Sequence, residues 1–247
     1  MRNIKLEFSY DGRNYYGLQK QKNCVTIQGE IERALTELFG KEINLIIAGR
    51  TDKGVSSLKM VGNFYVESNI EADKICYALN VKLPNDIRIL SSFEVDFNFH
   101  SRYDAKQKTY KYSLYENNFS LPLFPFETLF KAKLNYSNMK RAIKYLVGKH
   151  DFSSFVTKSK EIDDKVRTIY KVKLVRKVIQ GINHYYFYFT GNGFLYNQVR
   201  TMVGTLILAG INKIKPKDIK KIIKNKNRSY AGSVMPANGL VLTDIKY

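Results

Sequence analysis

The stretch Ala48-Gly49-Arg50-Thr51-Asp52-Lys53-Gly54-Val55-Ser56-Ser57 follows directly on an apolar run, residues 43–47. We interpret that run as a buried strand that leads into a loop. Two glycines bracket the charged residues of the loop, and glycine allows both a sharp turn and the close approach of a ligand. A loop held by a core strand is a common place for chemistry, because the strand fixes the positions of the side chains.

Asp52 is the only acid in this loop, and Arg50 and Lys53 flank it. Nearby positive charges favour the ionised form of a carboxyl group. An ionised aspartate in such a place can act as a nucleophile or as a base. The alternative interpretation is an ordinary turn aspartate with surface cations, since Asp and Gly are common in turns.

The hydrophobic pattern of the first hundred residues predicts strand, helix, strand, strand, helix, strand, which is the ferredoxin-like split βαβ order. The predicted segments are residues 4–8, 26–39, 43–48, 60–66, 69–79 and 86–95. Gly40 is the expected end of the first helix. In that helix the apolar residues share one face, and the charged residues, Glu32 among them, are expected largely elsewhere.

The second half is predicted to be an elaborated copy of the same order. Strands are expected at 109–115, 168–176, 184–190 and 240–247, helices at 137–147, 196–211 and 216–225, and a long loop at 149–165. Ser137 is a candidate N-cap, and Gln180-Gly181 a hairpin turn. The fold class is therefore α+β, with two ferredoxin-like-derived halves, residues 1–103 and 104–247. We expect their sheets side by side, with a cleft between the halves.

The charge of the chain predicts a polyanionic partner. Among 247 residues, 41 Lys and Arg face 22 Asp and Glu, which gives a formal net charge of +19. A surface this basic suits nucleic acid. The sequence is rich in Lys, Asn, Ile and Tyr together, a composition that can extend over a whole proteome. The sign of the net charge is therefore more informative than its size.

Composition also bears on metals, disulfides and membranes. The two cysteines, Cys24 and Cys76, form no metal-ligand cluster with the three scattered histidines. They do not indicate a secreted disulfide scaffold either. No apolar stretch reaches the ~18–20 residues of a membrane span, and no signal peptide is evident. The expectation is a soluble cytoplasmic protein.

Two further stretches carry candidate site residues. Arg200 lies beside an apolar helical stripe, on the same helix face as Asn197 and Gly204. An arginine at a core boundary needs a carboxylate or phosphate partner, unless it reaches solvent. Tyr110 and Tyr112 point to one face of a strand. They can stack on unpaired bases, although core tyrosines are the more common case.

These residues together resemble the tRNA pseudouridine synthase A family. Ala48-Gly49-Arg50-Thr51-Asp52-x-Gly54-Val55 is similar to the family's signature, and the other motifs follow in the family's order across nearly the whole chain. They are Tyr10-Asp11-Gly12, Tyr16-Gly17-x-Gln19, Asn80-Val81-x-Leu83-Pro84-x-Asp86-Ile87, Phe99-His100-Ser101-Arg102, Tyr110-x-Tyr112, Asp151-Phe152-Ser153-Ser154-Phe155, Arg167-Thr168, Phe194, Val199-Arg200, Val203-Gly204 and Gly239-Leu240. The chain departs from the family's usual residues at Leu18, Ser56 and 196–198.

The resemblance implies an isomerase with the pseudouridine synthase fold, which converts uridine to pseudouridine at positions 38–40 of the tRNA anticodon stem-loop. It implies no metal, no organic cofactor and a homodimer that binds the anticodon arm. By resemblance, Asp52 is the nucleophile and Arg50 holds the target nucleotide out of the stack. Tyr110 stacks on the flipped base, and Arg200 pairs with the aspartate. The sequence leaves open whether Asp52 attacks the base, attacks ribose C1′ or acts through a glycal.

Two other functions share some of these features. A non-catalytic RNA-binding protein would show the same charge and tyrosines, but it would not require an isolated aspartate between cations. A metal-free aspartate hydrolase would normally need a second acid or a histidine near Asp52. A search for pseudouridine in a cofactor-free reaction separates all three.

Overall fold

The computed structural model describes residues 1–157 and 164–247 of the protein. The chain forms two compact units. The first comprises residues 1–106 and 242–247, and the second comprises residues 107–241. Residues 158–163 of the predicted 149–165 loop lie outside the described residues.

The first unit has the predicted ferredoxin-like order. Its elements are β1 (Arg2–Tyr10), α1 (Ile27–Phe39), β2 (Ile46–Ile47), β3 (Ser56–Val66), α2 (Ile75–Lys82) and β4 (Ile87–Val95). In the sheet, β1 lies between β4 and β3, while β2 pairs with β3, and all three pairings are antiparallel. A one-turn 3-10 helix at Ala72–Lys74 precedes α2.

Helix α1 forms where its amphipathic pattern predicts it and ends at Gly40 as predicted, and the structure adds Thr26 as its N-cap. The side chain of Thr26 accepts a hydrogen bond from the Gly29 N–H, and Gly40 ends the helix with a left-handed φ of 68°. Ile31 is fully buried on the inner face. Glu32 differs from the expectation, because it is buried as well, at 5% exposure.

The contacts of Glu32 also explain why the predicted strand at 43–48 is reduced to the two residues of β2. The Leu45 N–H donates to Glu32 Oε1 at 3.1 Å, and the Leu45 carbonyl accepts from Gln28 Nε2 at 3.0 Å. The backbone of Leu45 is therefore satisfied by side chains of α1 rather than by a neighbouring strand. Lys20 Nζ completes the cluster, 3.0 Å from Glu32 Oε2.

Among the residues described, the second unit contains five complete strands, three α-helices and the first two residues of the last strand of the chain, which continues into the first unit. These elements are β5 (Gln107–Glu116), β6 (Thr128–Phe130), α3 (Tyr136–Ala142), β7 (Gly148–Asp151), β8 (Val166–Ile179), β9 (Ile182–Gly191), α4 (Gln198–Gly210), α5 (Asp218–Asn225) and β10 (Leu240–Lys246). The strands run in the order β5-β9-β8-β7, and each neighbouring pair is antiparallel. Strand β6 adds to β5 in parallel.

The predicted hairpin at Gln180-Gly181 is confirmed and joins β8 to β9. The predicted N-cap of α3, Ser137, is wrong. Gln180 and Gly181 adopt φ values of 50° and 77°, so both turn residues are left-handed. The N-cap of α3 is Asn135, whose Oδ1 accepts from the Asn138 N–H at 3.0 Å, and Ser137 lies inside the helix. A loop was expected at 149–165, but its first three residues, 149–151, belong to β7, which pairs with β8.

Candidate active site

The loop that carries Asp52 connects β2 to β3 and is closed by a tight turn. The Val55 N–H donates to the Asp52 carbonyl at 3.1 Å. Gly54, the third residue of that turn, has a φ of 80°, which glycine adopts without strain. Thr51 and Val55 are buried, and Asp52 is half-buried between them. The turn therefore fixes the backbone from which the Asp52 side chain projects, and the residue stays partly accessible.

Thr51, the residue before the aspartate, is held from two sides. The Tyr10 hydroxyl lies 2.8 Å from Thr51 Oγ1 in a buried hydrogen bond. The Leu18 N–H donates to the Thr51 carbonyl at 3.3 Å. Gly17 makes this approach possible, because it has a φ of 99° and a Cβ there would lie 3.0 Å from the same carbonyl oxygen. The end of β1 and the 15–19 loop thus position Asp52.

A second close approach holds the far side of the loop. A Cβ at Gly12 would lie 2.0 Å from the Val55 carbonyl oxygen, so no larger residue fits without displacing the backbone. The Gly12 N–H donates to Ser56 Oγ at 3.0 Å. Burial raises the pKa of the neighbouring Asp11, but hydrogen bonds and charge from Arg13 outweigh burial and leave the pKa lower than usual.

The two cations of the loop have different environments. Arg50 is exposed, and its guanidinium has no hydrogen-bond or ion-pair partner among residues 1–157 and 164–247. Lys53 places its Nζ 3.8 Å from the centre of the Tyr16 ring, a cation–π contact. The guanidinium of Arg50 is therefore open to an anionic ligand, and the ammonium group of Lys53 has its position defined by the Tyr16 ring.

Arg200 occupies the predicted boundary position on α4 in the second unit. Its Nε donates to the Met235 carbonyl at 2.6 Å and its Nη1 to Asn197 Oδ1 at 2.7 Å. The adjacent Val199 and Val203 are buried. The guanidinium is therefore half-buried and held in a defined orientation.

A glycine contact brings the Met235 carbonyl to Arg200. A Cβ at Gly204 would lie 2.0 Å from the Ser233 carbonyl oxygen, and one at Gly232 would lie 2.3 Å from the Gly204 carbonyl carbon. The Gly232 N–H also donates to Thr205 Oγ1 at 2.9 Å. The 231–235 segment crosses α4 at backbone contact distance, as the small residue at 204 allows.

The two candidate stacking tyrosines of β5 are both buried, but they make different contacts. Tyr112 is fully buried, and its hydroxyl contacts Thr128 Oγ1 at 2.7 Å and donates to the Pro236 carbonyl at 2.9 Å. Burial raises the pKa of Tyr112, against the opposing effects of the Thr128 hydrogen bond and the Arg200 charge. Tyr110 is 9% exposed and packs edge-on against Phe194, with ring centres 5.3 Å apart. Tyr112 is thus a core residue.

The structure groups the predicted site residues by unit. Arg50 and Asp52 lie on one loop of the first unit, while Tyr110 and Arg200 belong to the second. Sequence reasoning missed the supporting contacts of Tyr10 and Gly17, although both lie in motifs that carried the resemblance. The Met235 carbonyl has no sequence signal, since any residue supplies a carbonyl.

The described residues also bear on metal binding and on membranes. No group of three or more His, Cys, Asp or Glu side chains there has a metal-binding arrangement. None of the helices in residues 1–157 and 164–247 combines the length and the apolar character needed to span a membrane.

Comparison with known proteins identifies the class of enzyme. A family model described as tRNA pseudouridine synthase matches residues 8–104 and 142–247, which include Asp52 and Arg200. The tRNA pseudouridine synthase A of Acetivibrio thermocellus is 46% identical over 250 aligned residues, and that of Clostridium acetobutylicum is 42% identical over 249. Each alignment covers 100% of both chains.

The likeness to solved structures is weaker. The alignment with a Cbf5-Nop10-Gar1 complex covers 96% of this chain and 57% of that chain, with a TM-score of 0.38 and 9% identity. The family model and the relatives define an RNA-modifying isomerase. The chain belongs to the tRNA pseudouridine synthase family.

Proposed function

We propose that this enzyme isomerises uridine to pseudouridine at positions 38–40 of the tRNA anticodon stem-loop, with Asp52 as the nucleophile. One observation carries the assignment. Asp52 is the acid of a loop that the family model covers, and it begins a turn whose neighbouring residues are buried and hydrogen-bonded. A carboxylate on a backbone held in this way is suited to attack a bound nucleotide, because the loop that carries it is ordered before the substrate arrives.

The reaction is an internal rearrangement, and its atoms balance without a co-substrate. The bond between N1 of uracil and ribose C1′ breaks, the base turns, and C5 bonds to C1′. The proton on C5 leaves, and N1 gains one. The base must first leave the RNA stack at a cost of a few kcal/mol, which phosphate contacts to a basic protein surface can offset.

The other site residues have supporting roles in this proposal. The exposed guanidinium of Arg50 binds the backbone of the extruded nucleotide. Tyr110 stacks on the flipped base and assists proton transfer. Arg200 provides positive charge that keeps the Asp52 carboxylate ionised. Its orientation by Met235 and Asn197 supports this role, because a fixed charge needs no reorganisation during the reaction.

The test is a cofactor-free reaction with an unmodified tRNA transcript in the presence of a chelator. Pseudouridine at positions 38–40, measured by mass spectrometry of nuclease fragments, is the expected product. Binding of the transcript without any product would indicate a non-catalytic RNA-binding protein. Release of free uracil would indicate a hydrolase.

We also propose that the enzyme acts as a homodimer on the anticodon arm, in the cytoplasm, as the family resemblance implies. Sedimentation equilibrium over a range of protein concentrations measures the oligomeric state directly. A monomeric mass in the concentration range that supports full activity would rule out the dimer.

A further inference from the structure

Tyr16 is exposed beside the catalytic loop although its backbone is firmly held. The side chain is 51% exposed, whereas the adjacent Tyr15 is 5% exposed and donates its hydroxyl to Asp86 Oδ1 at 2.5 Å. The Tyr16 N–H donates to the Val25 carbonyl at 3.0 Å, and its carbonyl accepts from Gln21 Nε2 at 3.0 Å. The aromatic ring is thus presented to solvent from an ordered loop.

The ring also has a defined position relative to Asp52. Gly17 and Leu18, the next two residues, meet the Thr51 carbonyl, and Thr51 immediately precedes the aspartate. Lys53, which immediately follows the aspartate, places its Nζ 3.8 Å from the ring centre. Tyr16 is therefore tied to the residues on both sides of Asp52.

From this arrangement we propose that Tyr16 and Lys53 form a nucleotide-binding subsite, in which the ring stacks on the base next to the target uridine. The inference rests on the proposed function, because that function places the target uridine at Asp52. Bases stack on aromatic side chains with little regard to sequence, since every base has a π-face. When one nucleotide leaves the stack, its neighbour loses a stacking partner, and the Tyr16 ring replaces that partner.

Lys53 has two roles in this subsite. Its ammonium group contacts the ring by a cation–π interaction, which orients the ring. It also places a positive charge where the phosphate of the stacked nucleotide would pass. The pair thus offers both kinds of contact that single-stranded RNA uses, an aromatic platform and a cation.

The test compares Tyr16→Leu, Tyr16→Phe and the matched control Tyr77→Leu, which removes another exposed tyrosine of the first unit. The substrate is a synthetic anticodon stem-loop with 2-aminopurine next to the target uridine. For Tyr16→Leu we expect KM to rise on the order of tenfold, with kcat changed less and the melting temperature unchanged. The quenching of 2-aminopurine fluorescence by the enzyme should be lost.

Tyr16→Phe should restore both KM and quenching, because stacking needs the ring and not the hydroxyl, and Tyr77→Leu should match the wild type. A Tyr16→Leu enzyme with wild-type KM and quenching would overturn the subsite, as would an equal effect in Tyr77→Leu. The wild-type enzyme distinguishes the two proposals. If it forms no pseudouridine in tRNA, the proposed function fails, whereas normal turnover with an unchanged Tyr16→Leu variant rejects only the subsite.

Discussion

At the scale of single residues, Asp52 is distinguished by its negative charge between two cations and by the hydrogen-bonded turn that it begins. Asp52→Asn keeps the shape of the side chain and removes the nucleophilic carboxylate. We expect no detectable pseudouridine from this variant. tRNA binding should be largely retained, because many phosphate contacts contribute to it.

A single-turnover assay and a filter-binding assay on the same preparation measure both quantities. Turnover near the wild-type rate would exclude Asp52 as the nucleophile. Loss of binding together with activity would instead indicate that the variant disrupts the loop, which a shifted melting temperature would reveal.

The two site arginines should separate activity from stability. Arg200→Met removes a half-buried guanidinium and leaves the oxygens of Met235 and Asn197 without its hydrogen bonds. We expect a loss of roughly 2 kcal/mol or more in unfolding free energy, together with loss of activity. Arg50→Met alters an exposed side chain, so activity should fall while stability changes by about 0.5 kcal/mol or less.

Urea unfolding and single-turnover rates for both variants provide the comparison. If Arg200→Met unfolds like the wild type and keeps its rate, Arg200 is only a surface residue. Equal destabilisation by both substitutions would contradict the difference in burial on which the prediction depends.

At the scale of elements, the 231–235 segment crosses α4 at backbone contact distance because Gly204 and Gly232 both lack a Cβ. Alanine normally stabilises a helix interior relative to glycine by about 1 kcal/mol. In Gly204→Ala the new methyl group would lie 2.0 Å from the Ser233 carbonyl oxygen, and a backbone atom cannot rotate away. We expect marked destabilisation, with loss of activity because Met235 moves away from Arg200.

Gly210→Ala on the same helix is the matched control. A Cβ added at residue 210 would lie 3.0 Å from Leu134 Cδ2 and 3.0 Å from Met139 Sδ, and both side chains can adjust. Thermal unfolding should show a smaller change than for Gly204→Ala. A larger loss of stability in Gly210→Ala would mean that side-chain packing, not the backbone contact, limits this helix.

A pH-dependent contact links β7 to the end of α5. Burial raises the pKa of Asp151, but hydrogen bonds from Lys226, at 2.8 Å, and from Ser153 outweigh it and lower the pKa from 3.8 to about 2. Because the pKa is lowered, the contact stabilises the fold at pH values above the ordinary pKa of an aspartate. The contribution is lost as the pH falls through about 2.

Asp151→Asn should therefore be less stable than the wild type at pH 6, and the difference should vanish near pH 2. Urea unfolding at several pH values measures this, with Lys226→Met expected to give the same trend. A difference that stays constant from pH 6 to pH 2 would show that the carboxylate charge is not involved.

Elements with strong local signals could be predicted from the sequence, and those fixed by distant contacts could not. Helix α1 has both an apolar face and capping residues, so both its extent and its end were predictable. Strand β2 is shorter than its apolar run, because side chains of α1 bind the backbone of Leu45. Strands β6 and β7 have three and four residues, too short for a periodic pattern to appear.

In the candidate site, too, residues with a local sequence signal were predictable, and contacts between distant residues were not. The aspartate loop and Arg200 stand out because charged residues next to apolar runs are conspicuous in a sequence. The contacts of Tyr10 with Thr51 and of Met235 with Arg200 join residues 41 and 35 positions apart, and only the folded chain reveals them. The contact between Tyr16 and Lys53 is invisible for the same reason.

At the scale of the whole molecule, the formal net charge of +19 should appear in the salt dependence of tRNA binding. Each phosphate neutralised by a lysine or arginine releases counterions, so the logarithm of the binding constant falls linearly with the logarithm of salt concentration. We expect a steep slope for the wild type. A flat response would mean that the charge is not used for RNA.

The slope can be assigned to individual cations by comparing two arginines of the first unit. Arg50 is exposed and has no ion-pair partner among the described residues, so Arg50→Met should reduce the slope by about one if Arg50 binds a phosphate. Arg33 already pairs with Glu30 at 2.9 Å and with Glu37 at 2.5 Å on α1, so Arg33→Met should leave the slope unchanged. Fluorescence anisotropy with labelled tRNA at several salt concentrations gives both slopes. Equal slopes for Arg50→Met and the wild type would remove Arg50 from the phosphate contacts.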